Sequence, residues 1–266
     1  MLDKTLGRVY TGDMLPLLPL LVACKHPDPA PTKLEDLIGW MFTHADDDDT
    51  TSLDEGTVNL STWMDSHFDE TLPGYTVNNL SESEVEGVGV GYRDLSGLQG
   101  VAVGYPYTTE ADQVADALMA SRDADNVDST DENSTVAVEG STTCFADKSC
   151  DWAVFDADVV TDMGFGITME TWTRYQYRRY QTDAGEVLLQ RSWSQQSPVL
   201  TTSLFSIDQT YQIWVLVPEG GSWRSIQGEW VDAQVLGSLN MDFVMEQWVK
   251  QLISLEESND TAAAAF

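Results

Sequence analysis

The sequence predicts an α+β fold: an antiparallel β-sheet packed on a long C-terminal helix and preceded by a small helical hairpin. Three patterns point to it. Two amphipathic stretches led by capping boxes open the region after residue 31, a run of alternating segments separated by glycine turns fills the middle, and an Asn-capped apolar stripe lies near the end.

Thr32-Lys33-Leu34-Glu35 reads as a capping box, and Leu34, Leu37, Ile38 and Met41 follow at helical spacing. Asp46 to Asp49 breaks that helix. Ser52-Leu53-Asp54-Glu55 offers a second box ahead of Leu60, Trp63, Met64 and Phe68, and Leu72-Pro73-Gly74 stops it, so residues 32–73 form a helical hairpin. Tyr75-Thr76-Val77 is a candidate strand, Ser81 to Glu86 a helical turn, and Gly100 to Tyr107 a half-buried strand. Thr109 is expected to cap a helix with the stripe Ala111, Val114, Ala115, Leu118 and Met119, and Asp123 to Asn133 reads as an acidic loop. Strands follow over 152–160 and 165–178. Asp183-Ala184-Gly185 turns the second into Val187 to Trp193, and Glu219-Gly220-Gly221 joins Tyr211–Val217 to Trp223–Val235. Asn240 then caps a helix with Val244, Met245, Trp248, Leu252 and Leu255 on one face. The sheet and this helix are assigned to 74–260, and 261–266 to a disordered tail.

The chain has 266 residues with 44 Asp and Glu against 13 Lys and Arg, a net charge of −31. Such a field repels phosphate backbones, which excludes nucleic acid as a partner, and 42% hydrophobic residues with nine Trp are ample for a packed core. The acid is regional: residues 25–166 carry 5 basic and 30 acidic side chains, and 167–266 carry 6 and 12. Adaptation to salt is an alternative account of the acidity, since only five Lys are present.

Ten apolar residues, Met14 to Ala23, are too few to span a bilayer and are interrupted by Pro16 and Pro19, which suits the apolar core of a signal peptide over 1–23. Leu21-Val22-Ala23-Cys24 resembles the lipobox of bacterial lipoproteins, and residues 24–31 form a Pro-rich tether. The resemblance implies lipid attachment at Cys24, contact with a membrane through that lipid, and a place in the bacterial cell envelope facing the periplasm or the surface. Lys25 after the Cys favours the outer membrane by analogy. A leader-like stretch that packs on the domain with Cys24 as a free thiol is the alternative. Setting Cys24 aside leaves Cys144 and Cys150, a pair able to close a disulfide in an oxidising compartment.

No recognisable catalytic motif occurs, and Gly87-Val88-Gly89-Val90-Gly91 lacks the spacing of a dinucleotide loop. His26 lies in the tether, while His44 and His67 sit near predicted helix ends, where they complement the carbonyl dipole. Carboxylates are too abundant to diagnose. Neither Asp46–Asp49 nor the acidic stretch holding Asp123, Asp125, Asp128 and Asp131 fits a calcium loop, because from Asp46 the sixth position is Thr51 and the twelfth Thr57. No metal ligands or cofactors are assigned, only weak divalent association with an acidic surface.

Four of the eight arginines fall within residues 174–191. On a strand, Trp172, Arg174, Gln176 and Arg178 share one face and Thr173, Tyr175 and Tyr177 the other. Arg174, Tyr177, Arg178 and Arg191 are therefore the candidate ligand-binding set, through bidentate hydrogen bonds and stacking. Alternatively, the arginines pair with Glu170, Glu186 or Glu229, and Trp193, Trp214 and Trp230 are core.

The order of elements over about 109–257 resembles the helix-grip arrangement of START-type proteins, although no family motif matches residue by residue. That resemblance implies a sheet wrapped round the last helix and an apolar cavity, which a binding module would line with some of Trp172, Trp193, Trp214, Trp230 and Trp248; a plain antiparallel sheet backed by helices, without a cavity, is the alternative. The whole chain also resembles uncharacterised acidic lipoproteins of myxobacteria and their relatives. The expectation is a membrane-anchored, non-catalytic binding or envelope-associated domain with an apolar ligand or envelope protein as partner. A START-like carrier and a carboxylate-based hydrolase are the alternatives.

Overall fold

The structure, a computed structural model, describes residues 29–88, 94–122, 134–162, 166–235 and 240–266. The stretches read as signal peptide and lipobox, with Cys24, most of the expected tether, the expected acidic loop and part of the Gly87–Gly91 run lie outside the described residues.

Two helices come first, α1 (Leu34–His44) and α2 (Thr51–His67), followed by β1 (Tyr75–Val77), the short α3 (Glu82–Val85), β2 (Leu98–Tyr107) and α4 (Ala111–Ala120). Next come β3 (Ser134–Glu139), α5 (Thr142–Ala146), β4 (Trp152–Asp162), β5 (Thr168–Thr182), β6 (Gly185–Ser194), β7 (Val199–Leu200), β8 (Phe205–Glu219), β9 (Ser222–Val235) and α6 (Met241–Ala263). The described strands make one nine-stranded sheet in the order β1-β2-β9-β8-β6-β5-β4-β3, with β7 beside β5. Every pairing of these strands is antiparallel. The fold is α+β with a long C-terminal helix against an antiparallel sheet, as the alternation and the final apolar stripe predict.

Alternation divides the sheet into two buried faces. Val187, Leu189 and Trp193 of β6, Tyr211, Ile213 and Val215 of β8, and Ile226 and Trp230 of β9 meet α1 and α2 in one hydrophobic cluster. Gly228 lets α1 lie close on β9: a Cβ there would collide with Ile38. On the opposite face, α4 and α5 cover Phe155, Tyr177, Leu188, Trp214 and Leu216, while α6 sets Trp248 and Leu252 against Val101, Val103, Ile207 and Val231. Among the described residues no helix is long and apolar enough to cross a membrane.

Several local features differ from the sequence reading. Helix α2 begins at Thr51 because Asp49 Oδ1 accepts from the Thr51 amide at 3.0 Å and its hydroxyl at 2.6 Å. The hydroxyl of Thr109 is taken by Asp260, leaving Glu110 as the N-cap of α4. Strand β3 lies at the sheet edge with Val136 and Val138 exposed, so its apolar residues give no one-sided burial signal. Helix α6 runs to Ala263, past the predicted end at 260. Asp260 accepts from the Thr108 and Thr109 amides, both at 3.1 Å, and from both hydroxyls at 2.7 Å, which holds the last turns against the start of α4. Ala263 is completely buried there. As the sequence predicts, Cys144 and Cys150 form a disulfide, with Cα atoms 5.3 Å apart, around the end of α5.

Candidate ligand cavity

Between α6 and the sheet face opposite α1 and α2 lies a cavity of about 620 Å³. Its strand wall is built by alternation. Each of β5, β6, β8 and β9 turns a consecutive inward pair of polar residues toward it: Thr171 and Thr173, Gln190 and Ser192, Thr210 and Gln212, Gln227 and Glu229. Antiparallel register lines them up in rows. Tyr175, Ser192, Gln212, Glu229 and Val101 are successive partners across five strands. The apolar part of the wall comes from Met169, Trp214, Trp248 and Leu252. Leu255 also lines the cavity and is 46% exposed, so the space reaches solvent beside α6.

The polar row is only partly self-satisfied. Ser192 Oγ donates to Gln212 Oε1 at 2.8 Å, and Gln190 Nε2 reaches the same oxygen at 3.4 Å. Gln227 is 1% exposed and its Nε2 has no hydrogen-bond partner among the described residues. Glu229 is 8% exposed, and burial pushes its carboxyl up to about 8. The Trp248 indole N–H is directed at that carboxyl and opposes the shift, though the contact falls short of a complete hydrogen bond.

Outside the lining, the fully buried Glu256 of α6 takes hydrogen bonds from Tyr107 Oη at 2.5 Å, Ser225 Oγ at 3.1 Å and Trp214 Nε1 at 3.2 Å. Burial nonetheless pushes it up to about 7. Arg122, just after α4, lines the cavity and lies on Tyr175, 3.8 Å from the ring centroid, with its Nε donating to Tyr177 Oη at 3.0 Å.

The residues singled out in the sequence do not form one surface. Arg174, Arg178 and Arg191 are on the α1 and α2 face of the sheet, whereas Tyr177 is on the other, inside the cluster under α4 and α5. Arg174 holds Asp156 in a bidentate pair at 2.7 and 2.8 Å. Arg178 Nη1 donates to the Ala45 and Asp47 carbonyls at 3.0 and 2.6 Å. Arg191, 2% exposed, reaches the Phe42 carbonyl, Gln176 and Asp46. Two arginines thus receive the C-terminal carbonyls of α1, and Asp46 and Asp49 of the acidic run are bound into the same turn. His44 and His67 are the last residues of their helices, with His67 Nδ1 3.1 Å from the Trp63 carbonyl. Among the described residues no group of three or more His, Cys, Asp or Glu is arranged to hold a metal ion.

Of the five Trp named for a cavity, Trp214 and Trp248 line it, Trp193 and Trp230 are core under α1, and Trp172, on the arginine-bearing face of β5, does not line it. The cavity is lined by polar as well as apolar groups, unlike the apolar enclosure the resemblance implied. Sequence reasoning missed Gln190, Gln212 and Gln227, and offered Glu229 only as an arginine partner; among the described residues it is Glu186 that pairs, with Arg179 at 2.7 Å. The signal was present as polar residues at period two within otherwise apolar strands, but which face looks toward α6 is fixed only by the fold.

No protein-family profile and no curated protein matches the chain. Among solved structures it is similar to TTHA0849 from Thermus thermophilus, with 13% identity, a TM-score of 0.40, and 62% of this chain covering 97% of that one. Human STARD10 has 11% identity and a TM-score of 0.35 over 72% of this chain and 82% of its own. A STAR-related lipid transfer protein from Xanthomonas axonopodis has 11% identity and a TM-score of 0.33 over 61% and 93%. Similarity at this level decides nothing about what this chain binds.

Proposed function

We propose that the protein binds a small amphipathic molecule in the cavity between α6 and the sheet. The polar belt carries the reading. Leaving a buried amide or carboxyl without partners costs about 1–3 kcal/mol per group, so a surface devoted only to packing would have apolar side chains at these positions. Met169, Trp214, Trp248 and Leu252 supply a surface for an apolar body, and Gln227 and Glu229 supply polar groups for its head. The test is titration with Nile red, a neutral apolar dye. Saturable one-to-one binding is expected in the full chain and should be lost in Thr173→Trp, which fills the cavity from β5. Binding that Thr173→Trp leaves unchanged would overturn the assignment.

We also propose that the chain is lipid-anchored at Cys24 in a bacterial envelope, on the order of apolar run, lipobox and Pro-rich tether. The intact mass of protein taken from its own membranes should correspond to residues 24–266 plus a diacylglyceryl group. An unmodified full-length chain in the soluble fraction would refute this.

A further inference from the structure

One carboxyl on the cavity wall has no counter-charge. Glu229 has Val101 on β2 and Gln212 on β8 as register partners, and Trp248 of α6 faces it; none of the three is charged. Among the described residues it has no ion pair and no complete side-chain hydrogen bond. Arg122, the one basic side chain lining the cavity among the described residues, is engaged with Tyr175 and Tyr177. Glu256 behind Trp214 adds a second acid near the space, again without a cation.

Resting on the binding function proposed above, we infer that the occupant is an organic cation, a protonated amine on an apolar body, whose ammonium is received by Glu229 beside Gln212 and Trp248. Three observations favour it over other head groups. An ammonium supplies the counter-charge that Glu229 lacks, and its charge-assisted hydrogen bond to the carboxylate is roughly twice as strong as the neutral one that a hydroxyl makes with the protonated carboxyl. The indoles of Trp214 and Trp248 line the same space, and aromatic faces attract cations. The net charge of −31 draws cations toward the protein and repels carboxylates and phosphates. The proton balance is explicit: in the empty cavity burial keeps Glu229 protonated up to about pH 8, so binding an ammonium below that pH sends the carboxyl proton to solvent.

Calorimetric titration of the full chain with n-octylamine, n-octanol and n-octanoate at physiological salt tests this. Octylamine should bind at least tenfold more tightly than octanol, with octanoate weakest. Glu229→Gln should abolish the amine's advantage while octanol still binds. In the wild type the amine's affinity should rise with pH up to about 8, and in Glu229→Gln it should be flat. Equal binding of amine and alcohol by the wild type, or an amine preference that survives Glu229→Gln, would overturn the inference alone. Failure of all three ligands and of Nile red would overturn the cavity assignment beneath it.

Discussion

Arg191 Nη1 donates to the Phe42 carbonyl at 3.0 Å, joining the middle of the sheet to the last turn of α1. The guanidinium is buried, lies 5.5 Å from the Phe42 ring centroid and 5.4 Å from that of Trp193, and pairs with Asp46. Desolvation lowers its pKa, and Asp46 and Asp47 oppose that effect. Removing it would leave the Phe42 carbonyl and Gln176 without their donor beneath the hairpin. Arg191→Ala should therefore cost about 3 kcal/mol in urea unfolding. Asp46 is 40% exposed, so water can replace it, and Asp46→Ala should cost less than about 1 kcal/mol. Similar losses for the two variants would show that the clamp is a surface ion pair instead.

Stability should fall as pH rises from 5 to 8. Glu256 and Glu229 are acids whose folded-state pKa values are raised, to about 7 and about 8, above the ordinary 4.5. Between the unfolded and folded values the folded state holds more protons, so ΔG of unfolding declines with pH across that window and levels off above the folded pKa. Each group contributes on the order of 3 kcal/mol over its window. For Glu256 the groups facing the carboxyl are Tyr107 from β2, Trp214 from β8, Ser225 from β9 and Asp260 from its own helix; none is a cation. Urea midpoints measured across this range should shift less with pH in Glu256→Gln than in the wild type. An unchanged slope in Glu256→Gln would exclude this carboxyl as a source of the dependence.

The elements that were legible in the sequence are those whose burial is one-sided. Leu34, Leu37, Ile38 and Met41 are all fully buried on α1, as is Phe42, while Asp36 on the other side is exposed, and the glycine turns at Gly185 and Gly220-Gly221 have the positive φ that favours glycine. The arginine-rich strand was legible as a strand, with its two faces correctly separated. Its role was not, because Arg178 and Arg191 act on carbonyls more than 130 residues away in sequence. The cavity was illegible for a related reason. A Gln at an inward position looks the same in sequence whether it meets solvent, a helix or an internal space, and only α6 decides which.

Helix α6 forms one wall of the cavity and is held at its C-terminal end. Its middle contributes Trp248, Gln251, Leu252 and Leu255 to the lining, while Asp260 fastens the far end to Thr108 and Thr109. Two consecutive backbone amides and two hydroxyls converge on this one side chain, and hydrogen bonds to a carboxylate contribute about 1.5–3 kcal/mol each. Asp260→Ala leaves the lining side chains unchanged and releases only the clamp. Amide hydrogen exchange should then accelerate throughout the second half of α6 and in the first turn of α4, with little change in β8 or β9. Nile red affinity should drop several-fold, because part of the binding energy would go into ordering the helix. A variant with faster exchange but undiminished affinity would show that the helix end plays no part in holding a ligand.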